Sequence, residues 1–243
     1  GEPAELAEQL RHLGVADLLH RLGHRLAGDP AHPDIVRPHD RVQRAAVGAD
    51  VDGDRRYFLL GGIVESRDDR LAVIGDDNEA LGAGADMIND IEGFRDPASL
   101  AAVSESDCAV CIMHMQGEPG SMQRSPHYDD VVAEVAAFLR ERASAAQQSG
   151  IAATRICVDP GYGFGKTVAH NLELLARQAE LQRLVGLPLL AGLSRKSMLG
   201  AVTGRAVGER ATASVVGAVL AAERGARVLR VHDVAATRDG LRV

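Results

Sequence analysis

The sequence is poor in lysine, aromatic residues and cysteine. Among its 243 residues it has two lysines, Lys166 and Lys196, against 25 arginines, and it has no tryptophan. The three cysteines are an odd number, and Cys157 lies inside a strongly apolar segment, which argues against a disulfide framework. Cys108 and Cys111 have the spacing of half a metal site, but no second pair accompanies them. We therefore expect core thiols.

Basic patches and long apolar runs are also missing. The formal net charge is −7 and the isoelectric point is about 5.7, whereas a nucleic-acid-binding face requires clustered basic charge. No apolar run reaches the length of a membrane span. The first residues lack the basic region and the apolar core of a signal peptide. The sequence thus predicts a cytoplasmic protein that binds neither nucleic acid nor membranes.

From about residue 80 the sequence alternates strand-like and helical segments with short connections, which indicates parallel βα units. We expect strands at Asp86–Asp90, Ala109–Met115, Arg155–Asp159, Leu187–Ser194 and Ala226–His232. We expect helices at about 98–105, 129–148, 169–184, 208–224 and 234–243. The length and the 46% apolar content suit one α/β barrel domain over residues 1–243.

Residues 1–79 show this pattern less clearly. They hold five of the nine histidines, a helical pattern at 4–27, and candidate strands at Tyr57–Val64 and Leu71–Ile74. An eight-stranded barrel needs three more βα units than the five predicted from residue 80 onward. We therefore expect the first three units to be divergent or incomplete.

Asp159 ends one apolar strand and precedes a glycine-dense loop that Lys166 closes. Asp before Pro is a common turn residue, but glycine at every second position of 161–165 would let the backbone approach a flat ligand. The loop is not a Walker loop, because Pro160 stands where the first glycine is required. It is not a dinucleotide loop either, because Lys166 replaces the last glycine of that pattern. A ligand near Asp159 is the favoured interpretation.

Two later strands also end in polar or charged residues. Ser194 and Lys196 follow one of them, where an ammonium could reach a carbonyl, carboxylate or phosphate group. Arg230 and His232 alternate along the last strand, so their side chains share a face that suits a bound anion. The alternatives are a solvated lysine at a helix start and an arginine paired with Asp233. Parallel barrels carry their chemistry at the carboxyl ends of strands, which favours a binding site.

Two further strand ends carry candidate residues. The amide of Asn89 could both donate to and accept from the edge of a heterocycle, although Asn and Asp are also ordinary turn residues. Met113 could pack on an aromatic ring. His114 is interpreted as a core residue with satisfied hydrogen bonds.

Five blocks together resemble dihydropteroate synthase in order and spacing: Asn89–Ile91, Met113–Gly117, Asp159–Lys166, Ser194–Met198 and Arg230–Asp233. The resemblance covers about residues 80–243. It implies a TIM (β/α)8 barrel that condenses 6-hydroxymethyl-7,8-dihydropterin diphosphate with 4-aminobenzoate. The products would be 7,8-dihydropteroate and diphosphate, on the folate pathway. It also implies Mg²⁺ as cofactor and a homodimer formed through the C-terminal helices.

The resemblance further implies roles for individual residues. The pterin would be bound by Asn89, Met113, Asp159, Lys196 and Arg230. The diphosphate would be bound by Arg230 and His232. The 4-aminobenzoate would be bound by Phe164, Ser194 and Lys196. The catalytic set would be Asp159, Lys196, Arg230 and His232.

The upstream blocks of that family are not found. The blocks N-V-T-P-D-S-F and S-[IV]-D-T are missing, and G-G-E-S-T-R-P-G has only a faint counterpart at Gly61–Arg67. Asp76 or Asp77 could stand near the acid of the third strand. One hypothesis is that residues 1–79 are a divergent, truncated or misread N-terminal region. The metal ligand stays unassigned.

Three alternatives remain open. The first is a pterin-binding homologue that does not catalyse the reaction. The second is the pterin-binding module of a folate-dependent methyltransferase, against which the blocks at Ser194 and Arg230 argue. The third is an inactive barrel fragment.

Overall fold

The computed structural model describes residues 50–51, 55–56, 58–61, 81 and 87–243. The strands are β1 (Asp50–Val51), β2 (Arg55–Arg56), β3 (Phe58–Gly61), β4 (Met87–Asp90), β5 (Ala109–Met113), β6 (Ile156–Asp159), β7 (Leu189–Ala191) and β8 (Ala226–Val231). The α-helices are α1 (Pro97–Ser104), α2 (Val131–Gln148), α3 (Val168–Ala176), α4 (Gln178–Val185), α5 (Ser197–Thr203), α6 (Ala211–Glu223) and α7 (Val234–Leu241). Short 3₁₀ turns lie at Ala153–Arg155 and Val207–Glu209.

Six strands form a parallel sheet in the order β3-β8-β7-β6-β5-β4, and β1 and β2 form a separate antiparallel pair. The last strand, β8, pairs with β7 on one side and with β3 on the other. The first strand of this sheet in sequence, β3, thus lies beside the last, β8. This is the strand order of a sheet that closes into a barrel. The predicted fold class, a TIM-type α/β barrel, is confirmed. The strand predicted at Tyr57–Val64 is observed as Phe58–Gly61.

Some predictions lie outside the described residues. They are the helical pattern at 4–27, the strand at Leu71–Ile74, and the state of the first three βα units as a whole. The single-domain assignment over residues 1–243 likewise stays a prediction.

The two faces of the sheet carry different layers of apolar side chains. Because successive strand residues alternate faces, one set packs under the helices and the other faces inward. The outer set belongs to the main core and includes Ile88, Val110, Ile112, Ile156 and Val158. The inner set is a small cluster of Ala109, Cys111, Cys157, Leu190 and Val228, with Met87 against it. The inward row continues at the carboxyl ends of the strands to the polar residues described below.

The thiols are free and buried, as expected of core cysteines. Cys111 and Cys157 are register partners on β5 and β6. Burial raises the pKa of the Cys111 thiol well above its ordinary value, and the neighbouring Cys157 adds to this effect. The Cys111 thiol therefore stays protonated at neutral pH and acts as a small apolar side chain.

The helix predicted at 169–184 is in fact two helices, α3 and α4, which meet at Arg177. Arg177 leaves the helical conformation, and its guanidinium forms ion pairs with Asp130, Glu173 and Glu180. The short helix α5 was not predicted, because seven residues are too few to show a helical period. No helix in the described part of the chain is long and apolar enough to span a membrane.

Candidate active site

Asp159 lies at the carboxyl end of β6 with 1% of its surface exposed. Its Oδ1 accepts a hydrogen bond of 2.7 Å from the backbone N–H of Gly161. Burial raises the pKa of this carboxyl, and Arg230, Lys196 and Lys166 act in the opposite direction, Arg230 most strongly. A buried carboxylate surrounded by three cations is costly to build and is characteristic of binding sites.

Arg230 extends from β8 across the backbone of Gly192. A Cβ atom at Gly192 would lie 3.1 Å from Nη2 and 3.2 Å from Nε of Arg230, so any larger residue would displace the guanidinium. The Nε of Arg230 is buried and has no hydrogen-bond partner among the residues that the structure describes. A buried donor without a partner is rare in folded proteins, which points to a ligand acceptor at this position.

Lys196 follows β7 and reaches back over the glycine loop. Its Nζ lies 4.3 Å from the centre of the Phe164 ring, a cation–π contact. Its side chain also lies along Gly163, where a Cβ atom would be 3.4 Å from Cδ. Burial lowers the pKa of Lys196 to about 8; Arg230 lowers it too, and Asp159 raises it. The ammonium is thus mainly charged at neutral pH.

Ser194 and His232, which were assigned to different substrates, are in direct contact. Ser194 Oγ lies 2.8 Å from His232 Nδ1 and accepts a bond of 3.2 Å from the His232 N–H. The carboxylate of Asp233 accepts hydrogen bonds from Arg195 at 3.2 and 3.3 Å. The alternative in which Asp233 holds Arg230 is therefore wrong, because another arginine occupies that carboxylate.

Asn89 and Met113 lie on the same inward-facing row. The register places Asn89 beside Cys111, and Met113 beside Asp159 one inward position further along. The side-chain Oδ1 of Asn89 is buried and has no hydrogen-bond partner within the described part of the chain. Met113 is fully buried in a small cluster with Phe164 against it. An amide oxygen in this position can accept a hydrogen bond from a ligand.

The glycines of the loop have a different purpose from the one expected. Cβ atoms at Gly161 and Gly165 would lie 1.9 Å from the His114 carbonyl oxygen and 2.2 Å from that of Gln116. These glycines let the loop pack on the protein's own backbone after β5, and not on a ligand. Gly163 is the one that faces Lys196.

Sequence reasoning assigned no role to Lys166, which is 3% exposed beneath this loop. Its Nζ lies 2.9 Å from Nδ1 of His114. His114 is a core residue, as expected, and burial and the neighbouring lysine lower its pKa to about 2. Tyr128 is also buried, and its hydroxyl donates to the Gly165 carbonyl at 2.9 Å. The scarcity of lysine was the one sequence signal that could have identified Lys166.

The predictions of a third-strand acid and of a metal site find no support in the described residues. Asp76 and Asp77 fall outside the described residues. Within the described ranges, no group of three His, Cys, Asp or Glu side chains could hold a metal ion. Among the predicted residues, Phe164 packs against the cluster that contains Met113, contacts join Phe164 to Lys196 and Ser194 to His232, and the charges of Arg230 and Lys196 act on the pKa of Asp159.

The strand ends of this parallel α/β barrel carry a buried carboxylate, an amide and cations. This arrangement is typical of barrel enzymes that bind small polar molecules. Comparison with known proteins agrees. The family model described as "Pterin binding enzyme" matches residues 77–232, more than half of the sequence. This chain belongs to the pterin binding enzyme family.

The relatives are dihydropteroate synthases. The enzyme of Haemophilus influenzae is 47% identical over 165 residues, which are 68% of this chain and 60% of the relative. The enzyme of Escherichia coli strain K12 is also 47% identical over 165 residues, 68% of this chain and 58% of the relative. The chain thus spans about three-fifths of the length of these curated relatives.

Solved structures give the same result. Dihydropteroate synthase from Stenotrophomonas maltophilia, with imidazole bound in its active site, has a TM-score of 0.65 and 55% identity over 68% of this chain and 62% of its own. The enzyme from Xanthomonas albilineans in complex with 7,8-dihydropteroate has a TM-score of 0.62 and 50% identity over 68% of this chain and 61% of its own.

Proposed function

We propose that this protein is a dihydropteroate synthase, a transferase that joins 6-hydroxymethyl-7,8-dihydropterin diphosphate to 4-aminobenzoate and releases diphosphate. The observation that carries the proposal is the cluster around Asp159, in which a buried carboxylate lies among Arg230, Lys196 and Lys166. The Xanthomonas albilineans relative has been solved with 7,8-dihydropteroate bound, which is the product of this reaction.

The pterin would bind at the inward row. A pterin edge offers adjacent N–H groups that suit the Asp159 carboxylate, and ring nitrogens and a carbonyl that suit an amide. The buried Oδ1 of Asn89 lacks a partner and would accept from the same ring. Met113 beside Asp159 would pack on its face.

The diphosphate would bind at the end of β8. Arg230 has a buried Nε without a hydrogen-bond partner, and a guanidinium matches two phosphate oxygens at once. His232 stands two residues further, bonded to Ser194. Positive charge here would stabilise the leaving diphosphate as its bond to the pterin methylene breaks.

The 4-aminobenzoate would enter beside the glycine loop. Phe164 offers a ring face, Lys196 an ammonium 4.3 Å from that ring, and Ser194 a hydroxyl. The Xanthomonas albilineans relative has also been solved with 4-aminobenzoic acid. Catalysis would follow mainly from holding the amine in line with the methylene carbon.

We propose Mg²⁺ as the cofactor, although the described residues contain no group of three side chains that could hold a metal ion. In phosphate chemistry Mg²⁺ is commonly held by one or two carboxylates together with substrate phosphates. We propose that it arrives with the diphosphate. The free protein should then show no Mg²⁺ binding by calorimetry, whereas EDTA should abolish turnover and added Mg²⁺ restore it.

The decisive experiment is incubation of the full chain with the pterin diphosphate, labelled 4-aminobenzoate and Mg²⁺, with chromatographic detection of 7,8-dihydropteroate. Product is expected from the wild-type chain, and much less of it from Asp159→Asn at the same pterin concentration. A folded wild-type sample that yields no product would contradict the synthase proposal.

A second candidate, a pterin-binding homologue without turnover, is favoured by one finding: the family match begins at residue 77. It predicts saturable pterin binding without product. The methyltransferase module predicts pterin binding that a diphosphate group does not strengthen. The inactive fragment predicts neither binding nor turnover.

We also propose a cytoplasmic homodimer built from a single domain over residues 1–243. Val202 on α5 and Val216 on α6 are 62% and 52% exposed, as apolar side chains at a subunit contact would be in an isolated chain. Light scattering should give twice the 25.7 kDa chain mass, and Val216→Glu should reduce it. An unchanged monomer mass in both samples would contradict the dimer.

A further inference from the structure

Lys166, the first of the two lysines in the sequence, lies beneath the glycine loop and was assigned no substrate contact. Lys166 Nζ donates to the carbonyls of Gly161 and Phe164, each at 3.0 Å, and lies 2.9 Å from Nδ1 of His114. These three partners are acceptors, so the three N–H bonds of an ammonium are satisfied. Burial lowers the pKa of Lys166 to about 7, yet this geometry fits the charged form.

The two carbonyls mark the ends of one tight turn. Phe164 N–H donates to the Gly161 carbonyl at 3.0 Å, so the turn is closed by its own backbone bond and by the ammonium behind it. The other side of the turn presents the Phe164 ring to Lys196. One lysine therefore fixes the backbone of the residue on which the other lysine rests.

The link to His114 joins this turn to the neighbouring strand. His114 follows β5, its N–H donates to the Asp159 carbonyl at 2.9 Å, and it is 6% exposed. With a pKa of about 2 its ring is neutral. Because an ammonium can only donate, the contact at 2.9 Å assigns Nδ1 as the acceptor and the ring proton to Nε2. Lys166 thus connects the turn to the strand end that lies beside Asp159.

We propose that Lys166 is a positioning residue. It holds the Gly161–Phe164 turn against His114 and so sets the contact between the Phe164 ring and the Lys196 ammonium. The effect of Lys166 on 4-aminobenzoate binding rests on the proposed function. Its effect on the contact between Phe164 and Lys196 does not depend on that function.

The chain offers a direct test, because it has only two lysines. Protein grown with ¹³C-labelled lysine should give two ε-methylene signals in a carbon–proton correlation spectrum. The Lys196 protons, which lie over the Phe164 ring, should be shifted to low frequency by the ring current. Phe164→Leu gives the ring-free position of this signal.

In Lys166→Met the single remaining signal belongs to Lys196. We expect it to move at least about halfway to the position in Phe164→Leu, because the turn has lost the donor that fixes it. Tyr128→Phe is the matched control: it removes the bond to Gly165 but leaves the contacts of Lys166 intact. We expect this variant to keep the wild-type signal.

Two outcomes would overturn the proposal. One is a folded Lys166→Met protein whose Lys196 signal stays at the wild-type position. The other is a Tyr128→Phe protein whose signal moves as far as that of Lys166→Met, since general packing would then hold the loop. If Lys166→Met does not fold, Lys166→Gln replaces it: its shorter amide cannot reach all three acceptors, and an unmoved signal has the same meaning.

Kinetics adds a second measurement that depends on the proposed function. Lys166→Met should raise the KM for 4-aminobenzoate about tenfold while the Kd for the pterin changes less than about twofold, and Lys166→Arg should recover part of the loss. Equal losses for both substrates would contradict a positioning role confined to the turn. A wild-type chain without turnover would refute the synthase proposal, whereas the spectra would still decide the role of Lys166.

Discussion

Replacing Asp159 by Asn should separate binding from stability. The carboxylate is buried and its pKa is raised, mainly by loss of hydration. A raised carboxyl pKa means that the ionised form is less favourable in the folded protein than in the unfolded chain. Above the unfolded value of 3.8 this group therefore lowers the free energy of unfolding. Asn removes that charge and keeps an oxygen for the Gly161 N–H.

The same change removes the charged acceptor for the pterin. A hydrogen bond to a charged group contributes about 1.5–3 kcal/mol, so the loss of one predicts a pterin affinity weaker by about 10- to 150-fold. The stability of the free protein should stay equal or rise. A residue that only caps the turn would give the reverse pattern, with lower stability and unchanged affinity.

Calorimetric titration with the pterin and urea unfolding of the same two samples measure both quantities. Asp159→Glu is a second variant that keeps the charge but moves it by one methylene, and it should weaken binding without the stability gain. The reasoning is refuted if Asp159→Asn binds the pterin as tightly as wild type, or if it unfolds at clearly lower urea concentration.

Three further predictions concern the loop and its lysine. Gly161→Ala places a Cβ atom 1.9 Å from the His114 carbonyl oxygen and should lower the free energy of unfolding by more than about 2 kcal/mol. Gly186→Ala, which has a similar positive φ and open space around it, should lower it by about 1 kcal/mol. Equal losses in urea unfolding would contradict the clash. Tyr162→Phe removes the buried bond of 2.8 Å to Gln178 and should cost about 1–2 kcal/mol; an unchanged unfolding midpoint would show that the bond contributes nothing. Lys196 should titrate near pH 8 by NMR instead of at its ordinary 10.5. Between these values the folded protein has released the proton while the unfolded chain still holds it, so the contribution of Lys196 to the free energy of unfolding should rise with pH. A titration midpoint above pH 10 would contradict its burial.

Much of the barrel could be predicted because strand residues alternate between two faces. The predicted strands of the last five units correspond to β4 to β8, and the inward row of polar ends followed from the same alternation. The break between α3 and α4 could not be predicted from periodicity. It depends on Arg177, whose partner Asp130 is 47 residues away in sequence.

The candidate site was predictable to the extent that its residues end strands. Asn89, Met113, Asp159 and Arg230 all occupy inward positions at strand ends, and their side chains could be assigned from sequence order and the resemblance. The distinction between Asn89 and its neighbour also follows from alternation. Asp90 points the other way and accepts from the backbone N–H groups of its own turn at 2.7 and 2.9 Å.

The purpose of the glycines could not be obtained this way. Glycine at alternate positions indicates close approach but not the partner. The partners of Gly161 and Gly165 are the carbonyls of His114 and Gln116, which lie 47 and 49 residues earlier in the chain. Lys166 was missed for the same reason, since its contact with His114 comes from that packing. The loop is therefore largely a part of the protein core, and its one contact with the site is that of Phe164 and Gly163 with Lys196. Substitutions that weaken its packing on His114 and Gln116 should therefore change the position of Lys196 without contacting a substrate.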